Sequence, residues 1–473
     1  MTSDRTRALP VAARLAGIAL AGLLMACSPA QSTGPSSAPG SAVVPSTGPP
    51  PSDAASPSAS ATVAVVVDVV YVGRIETMTE AGRVEAVYLE DGLVRAIGDR
   101  DEVLAVAGDS IPVIDLGDAV AYPGFIDAHA HWIGDRDYMG IATPEAAMGA
   151  AVSRGWTSIS EQWVDQGRLA ELESLDAAGA LRLRVDAYLA LNLPAPSGEH
   201  LGDWYVEVER GQRSDRLTVD GVKLTFDNGW GSQVWWEPDD LAMTVGRANE
   251  AGWQVSIHTV SSTAHDTVID AFEAALEDEP NVLHHRIEHG IQVTDDQLDR
   301  LVAADMVTVI HLDGGAADWV LEPDYLGNLG DDRSLLARWR DFADAGLHVA
   351  AASDAPWIFP QLALTEDIGR PFDQVAGGMD GRGRANPETP AWVLDQLLTA
   401  EQGLRAITID AAYALGDEAN RGSLAVGMYA DITILSGDLL DATPDEIRAF
   451  EVLATIVGGA PEFCADPELC PEA

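Results

Sequence analysis

Hydrophobic and polar positions divide the chain into regions of different period. Residues 15–26 form an apolar run of small side chains behind Arg5, Arg7 and Arg14, too short for a permanent membrane span. Residues 27–61 are Pro, Ser, Gly and Ala with almost no large apolar side chain, so they cannot bury enough surface to fold and read as a flexible tether. From Thr62 the period changes to short β-rich runs at 63–72, 86–89, 93–97 and 112–116, with Asp91-Gly92 as a hairpin signal. From Ala119, strand-like runs at 120–127, 157–160, 183–189, 221–226, 254–258, 282–289, 307–312 and 348–353 alternate with helical stretches such as 238–251, 264–277, 295–304 and 334–345. Alternation of this kind predicts parallel βα units, and eight of them predict a (β/α)8 TIM barrel. After a helical stretch at 389–415, strand patterns return at 430–435 and 452–457. The expected class is therefore α/β. A barrel over 119–423 is flanked by a small β-sandwich domain built from 62–118 and 424–463, and 464–473 forms a C-terminal tail.

Composition narrows the setting. A hydrophobic share of 47% suffices for a large core. A formal net charge of −47 argues against nucleic acid or an anionic membrane face as partner. The sequence Leu24-Met25-Ala26-Cys27 resembles the lipobox of bacterial lipoproteins. That likeness makes 1–26 a signal peptide and Cys27 the lipidated first residue of an exported protein on the outer face of the cytoplasmic membrane, which it touches only through the lipid. In such a compartment Cys464 and Cys470 read as a disulfide closing the tail.

The charged residues hold one anomaly. Lys223 is the only lysine beside 27 arginines. Arginine supplies charge at any surface position, but only lysine can shed its proton when buried and act as an amine. A neutral amine can also take up carbon dioxide as a carbamate, an anion with two metal-binding oxygens. Other candidates gather at predicted strand ends, where barrel enzymes keep their chemistry. His129 and His131 close the first strand as His-x-His, a spacing that aims both rings one way. His258 ends the fifth strand, His289 the sixth and Asp354 the eighth. Imidazole suits zinc and its neighbours.

The motifs PGFIDAHAHW (123–132), VKLTFDNG (222–229), IH (257–258), HRIEHG (285–290), SDAP (353–356) and GSLAVGMYADITIL (422–435) resemble the amidohydrolase superfamily, and within it the YtcJ-like branch, amidohydrolase family 3. The resemblance implies a metal-dependent hydrolase of an amide, formamide or cyclic amide C–N bond in a small-molecule substrate. It implies two divalent metal ions, zinc being the expected one. His129, His131 and Asp354 hold one ion, His258 and His289 the other, and Lys223, carboxylated by carbon dioxide, bridges them. A hydroxide shared by the ions attacks, and Asp354 takes up the proton and returns it to the leaving nitrogen. Lactone or ester hydrolysis in the same site and a non-catalytic binding lipoprotein are the alternatives. Single-ion deamination ranks lower, because Ser261 and Ser262 follow His258 where such relatives place a Glu.

The chain departs from the branch at 258–265, which reads HTVSSTAH in place of IHAIGDRA-like sequence. His265, His311 and Arg333 are left as substrate-contact or structural residues. Arg286 and Glu288 are expected as a buried pair in the barrel wall. Trp132, Trp230, Trp235, Trp236 and Trp357 suggest an aromatic-lined pocket.

Overall fold

The structure, a computed structural model, describes residues 65–194, 197–228, 233–313, 333–357, 369–383 and 388–471. The segment 1–26, the tether 27–61 with Cys27, and Trp230 lie outside the described residues.

The chain opens with strands β1 (Val69–Glu76), β2 (Arg83–Glu90), β3 (Leu93–Gly98) and β4 (Val113–Pro123). It closes with β14 (Ile432–Leu435), β15 (Val452–Val457) and β16 (Ala460–Cys464). The layer expected as a sandwich is hydrogen-bonded as one seven-stranded mixed sheet in the order β16-β15-β14-β4-β1-β2-β3. The period of two explains its two buried faces. Val69, Tyr71, Val87 and Leu89 share one apolar cluster with Ile432 and Ile456, while Val70, Val72, Ala86 and Tyr88 pack with Val103 of the helix Arg100–Ala107. Cys464 and Cys470 form a disulfide, and the Tyr71 hydroxyl donates to Leu469 O at 3.2 Å, which ties the tail to β1.

Between these ends runs the barrel. Its strands are β5 (Phe125–Ala130), β6 (Trp156–Val164), β7 (Arg184–Ala190), β9 (Leu217–Thr225), β10 (Gln254–Thr259), β11 (Arg286–His289), β12 (Val307–Ile310) and β13 (Val349–Ala351). The two-residue β8 (Gly211–Gln212) pairs with β9 at the rim. All eight main strands pair in parallel in sequence order. The ends meet through Asp354 N to His129 O and His131 N to Ala355 O, both 2.9 Å. Asp127 reinforces the seam, its carboxylate accepting from Ser353 N at 2.8 Å and Ser353 Oγ at 2.6 Å.

One expected element divides. The run 120–127 is not a single barrel strand, because Val120 to Pro123 pair with β14 in the outer sheet and Phe125 starts the barrel. The chain thus changes layers at Gly124 rather than at 118/119. Both halves are buried, so the hydrophobic run hides the change of partner. Pro123 has no N–H to continue a ladder. At Gly124 a side chain is impossible, since a Cβ would lie 2.2 Å from Thr157 Oγ1. Buried ion pairs join the two layers, among them Arg184 Nε with Asp431 Oδ2 at 2.7 Å.

Candidate metal centre

The strand ends converge on Asp354. His129 Nε2 lies 3.4 Å from its Oδ1, and His131 Nε2 lies 3.3 Å from the same atom. His129, His131 and Asp354 thus form one group with metal-ligand spacing, their donor atoms all within 4.8 Å of one another. A second group shares Asp354 and adds His289 and His311. Lys223, in β9, is fully buried. Burial lowers its pKa to about 8, against the pull of Glu288 and Asp354. Its charge in turn helps to lower His129 and His289, so the amine is electrostatically part of the cluster.

Hydrogen bonds fix which ring nitrogens face the cluster. Glu288 Oε2 lies 2.5 Å from His129 Nδ1. Burial alone would raise the Glu288 pKa, but Arg286, His129 and Lys223 overcome it and hold the carboxyl well below its usual range. An ionised carboxylate only accepts, so Nδ1 carries the proton and Nε2 presents its lone pair toward Asp354. Burial and Lys223 lower His129 itself to about 3, which keeps the ring neutral. His311 repeats the device. Its Nδ1 donates to Ala352 O at 2.9 Å, so its Nε2 accepts from His289 Nδ1 at 2.7 Å. That leaves His289 Nε2 with a lone pair. Asp354 is held well below the usual carboxylate range, the neighbouring His131 outweighing the effect of burial.

Backbone geometry supports a specialised site. His289 and Asp354 adopt φ of +78° and +49°, a left-handed conformation that costs non-glycine residues about 1–3 kcal/mol. Both stand at strand ends, where the turn re-aims the side chain across the barrel mouth.

Of the six expected ligands, the two groups contain His129, His131, His289 and Asp354, with Lys223 coupled to them. His258 is outside both groups. Its ring packs edge-on against His289, with centroids 4.4 Å apart, and its Nε2 lies 3.3 Å from Asp227 Oδ1. Three contributors were not assigned from sequence. Glu288 was set aside as wall, yet it orients His129. His311 was left as a substrate contact, yet it orients His289. Asp227 was read only as part of a motif, yet it accepts from Val260 N and Ser261 N and faces His258. The i, i+2 spacing of Arg286 and Glu288 was the available signal, since it places an ion pair on one face of the strand that ends in His289. His265 is buried, its Nδ1 bonded to Ser261 O at 2.9 Å, which is a packing role.

The donor set fits a divalent ion. Among the described residues, His131 Nδ1 and Nε2, Lys223 Nζ, His258 Nε2 and His289 Nε2 are buried without a hydrogen bond. Each such atom costs about 1–3 kcal/mol if nothing binds it. Imidazole and carboxylate together suit zinc, and the carboxylates behind His129 and beside His131 (Asp135 Oδ2, 3.5 Å from Nδ1) are the outer partners expected of metal-ligating histidines.

Comparison with known proteins agrees with this geometry. Residues 141–462 match a family model described as "Amidohydrolase family". YtcJ of Bacillus subtilis (strain 168), an amidohydrolase by name, is 22% identical over 534 aligned residues, covering 82% of this chain and 97% of its own. The N-substituted formamide deformylase of Arthrobacter pascens is 29% identical over 226 residues, 47% of this chain and 38% of that enzyme. Among solved structures, an uncharacterized metal-dependent hydrolase from Pyrococcus horikoshii OT3 shares the fold with a TM-score of 0.65 at 18% identity, covering 80% of this chain and 99% of that one. With the family match spanning more than half of its residues, this chain belongs to the amidohydrolase family, whose members are metal-dependent hydrolases.

Proposed function

We propose that this protein hydrolyses an amide-type C–N bond, in an amide, formamide or cyclic amide, at a binuclear metal centre. The observation that carries the reading is the set of buried nitrogens without hydrogen bonds gathered around an ionised aspartate at the barrel mouth. His129, His131 and Asp354 would hold one ion. His258, His289 and the carbamate of Lys223 would hold the second, with zinc the favoured metal. Bound divalent ions supply a water of pKa about 7 and polarisation of the substrate carbonyl.

The chain's own residues do the rest. Lys223, with a pKa of about 8, holds a substantial neutral fraction near neutral pH. A neutral amine adds to carbon dioxide, forming an N–C bond and releasing one proton, and the product is an anion with two oxygens. Asp354 is ionised and so can take a proton as water adds to the carbonyl carbon. It then delivers that proton to the departing nitrogen as the C–N bond breaks, giving an acid and an amine. Glu288 and His311 keep His129 and His289 correctly turned, while burial keeps both rings neutral.

The amide hydrolases among the relatives support the C–N bond class. The resemblance of 24–27 to a lipobox supports an enzyme exported and held outside the cytoplasmic membrane by lipid on Cys27. The test is a parallel assay of formamides, linear amides, cyclic amides, esters and lactones with zinc-reconstituted protein, following release of acid and amine. Turnover of esters or lactones alone would replace the C–N reading. No turnover of any class by protein carrying bound zinc would point to a binding protein.

A further inference from the structure

An aromatic strip leads from the candidate centre to solvent. The Trp163 ring lies on His131, with centroids 4.4 Å apart at 34°. Trp357 meets Trp163 edge-on at 6.0 Å and 78°. Tyr138 leans on Trp357 at 4.5 Å and is 67% exposed. The three rings come from different places: the turn Arg136–Met139 after β5, the end of β6 and the loop after β13. Trp163 and Trp357 are both partly exposed.

Both indoles are fixed by their polar tips. Trp163 Nε1 donates to Thr225 Oγ1 at 3.0 Å, and Trp357 Nε1 donates to Asp135 Oδ2 at 2.8 Å. Asp135 is in turn paired with Arg168. With their N–H groups used and the bonded carboxylate already compensated, these rings have only apolar faces to offer a ligand. Trp163 also holds φ at +54°, a strained value for a bulky residue, which commonly marks a functional position.

We propose that this strip is the substrate-specificity surface of the site, and that it selects substrates carrying a flat, neutral, aryl-type substituent next to the scissile carbonyl. The inference rests on the metal-centre reading only for where cleavage occurs. The wall itself is read from ring geometry. Pre-fixed rings lose little freedom on binding, so a planar substituent laid on them gains contact at low entropic cost. It corrects the pocket suggested by sequence, since Trp132 is buried with its N–H on Asp127, while Trp163, not singled out there, forms the inner wall.

The test compares two metal-chelating probes that differ in one substituent, acetohydroxamate and benzohydroxamate. Their binding to zinc-loaded protein is measured by calorimetry in wild type, Trp357→Ala, Trp357→Phe and Tyr138→Ala. An aromatic contact is worth about a two- to tenfold change in affinity. Wild type is expected to prefer benzohydroxamate by about tenfold or more. Trp357→Ala should reduce that preference to about twofold, Trp357→Phe should recover most of it, and Tyr138→Ala should lower it by about twofold. Acetohydroxamate affinity should stay constant in Tyr138→Ala, and any change through Asp135 in the Trp357 variants falls on both probes alike, so the ratio of the two affinities is the readout. If Trp357→Ala does not fold, the exposed Tyr138→Ala decides. Equal affinity for the two probes in wild type, or a preference unchanged in every variant, overturns the aryl wall and leaves the metal centre standing. Zinc-loaded wild type that binds neither probe also overturns the wall, and failure of wild type to take up zinc removes the metal centre and the wall together.

Discussion

Replacing Glu288 with glutamine tests the least expected part of the site. The side chain is fully buried and keeps three partners: His129 Nδ1 at 2.5 Å, Arg286 Nε at 2.7 Å and Ser256 Oγ at 2.7 Å. Glutamine preserves the shape and removes the charge. Two separable consequences follow. Arg286, also fully buried, loses its counter-ion and keeps mainly the Ala128 carbonyl at 2.7 Å. Breaking a buried pair in this way costs about 3–5 kcal/mol, a large fraction of the ~5–15 kcal/mol that holds a typical domain together. The second consequence is local. An amide N–H facing His129 Nδ1–H forces either an amide flip or the other imidazole tautomer, which would point a proton instead of a lone pair at Asp354. Loss of such an outer partner weakens metal binding by about 10–100-fold.

Thermal unfolding of the metal-free protein reads the first consequence, and zinc competition against a chromophoric chelator reads the second. Adding Arg286→Met to Glu288→Gln should restore thermal stability without restoring zinc affinity. Wild-type zinc affinity in Glu288→Gln would refute the claim that this carboxylate sets the His129 tautomer. Recovery of zinc affinity in the double variant would show that the effect on metal was only a loss of packing.

Lys223→Ala is expected to abolish hydrolysis, with partial recovery in acetate or propionate, while Lys223→Arg stays inactive; full activity in the arginine variant contradicts the carbamate. Uptake of labelled carbon dioxide by metal-free protein should rise about tenfold from pH 7 to pH 9 at fixed dissolved carbon dioxide. The sign follows from the pKa of about 8 for Lys223, since the reactive neutral amine is the minor form below it and the major form above it. A rate independent of pH over that range would place the reaction elsewhere. Cys27→Ser should move the protein from the membrane fraction to the soluble extracytoplasmic fraction and remove the lipid mass from its N-terminal peptide; unchanged partitioning counts against the anchor.

The parts of this architecture governed by period were legible in the sequence. Each of the eight barrel strands overlaps one of the expected runs, β5 only at 125–127, and the four histidines stand at or next to strand ends, with Asp354 in the turn after β13. What the sequence hides is partner choice. The buried run through Pro123 looks continuous, although its halves belong to different sheets, because burial on both sides erases the alternation that marks a face. Glu288 and His311 escaped for a related reason. A charged or imidazole side chain in a strand has the same letter whether it touches a ligand, holds a ligand's partner or balances a neighbouring arginine. Only the distances to His129 and His289 separate these roles. The wall differs again. Trp357 was visible beside the SDAP motif, but Trp163 lies next to His131 only after β6 is laid against β5.

The most direct measurement of the central claim is anomalous diffraction at the zinc absorption edge from crystals grown with zinc and bicarbonate. The account predicts one peak bounded by His129, His131 and Asp354 and another beside His258 and His289, with electron density continuing past Lys223 Nζ to lie between them. Density that stops at the lysine amine, with no anomalous peak at the barrel mouth, would contradict it.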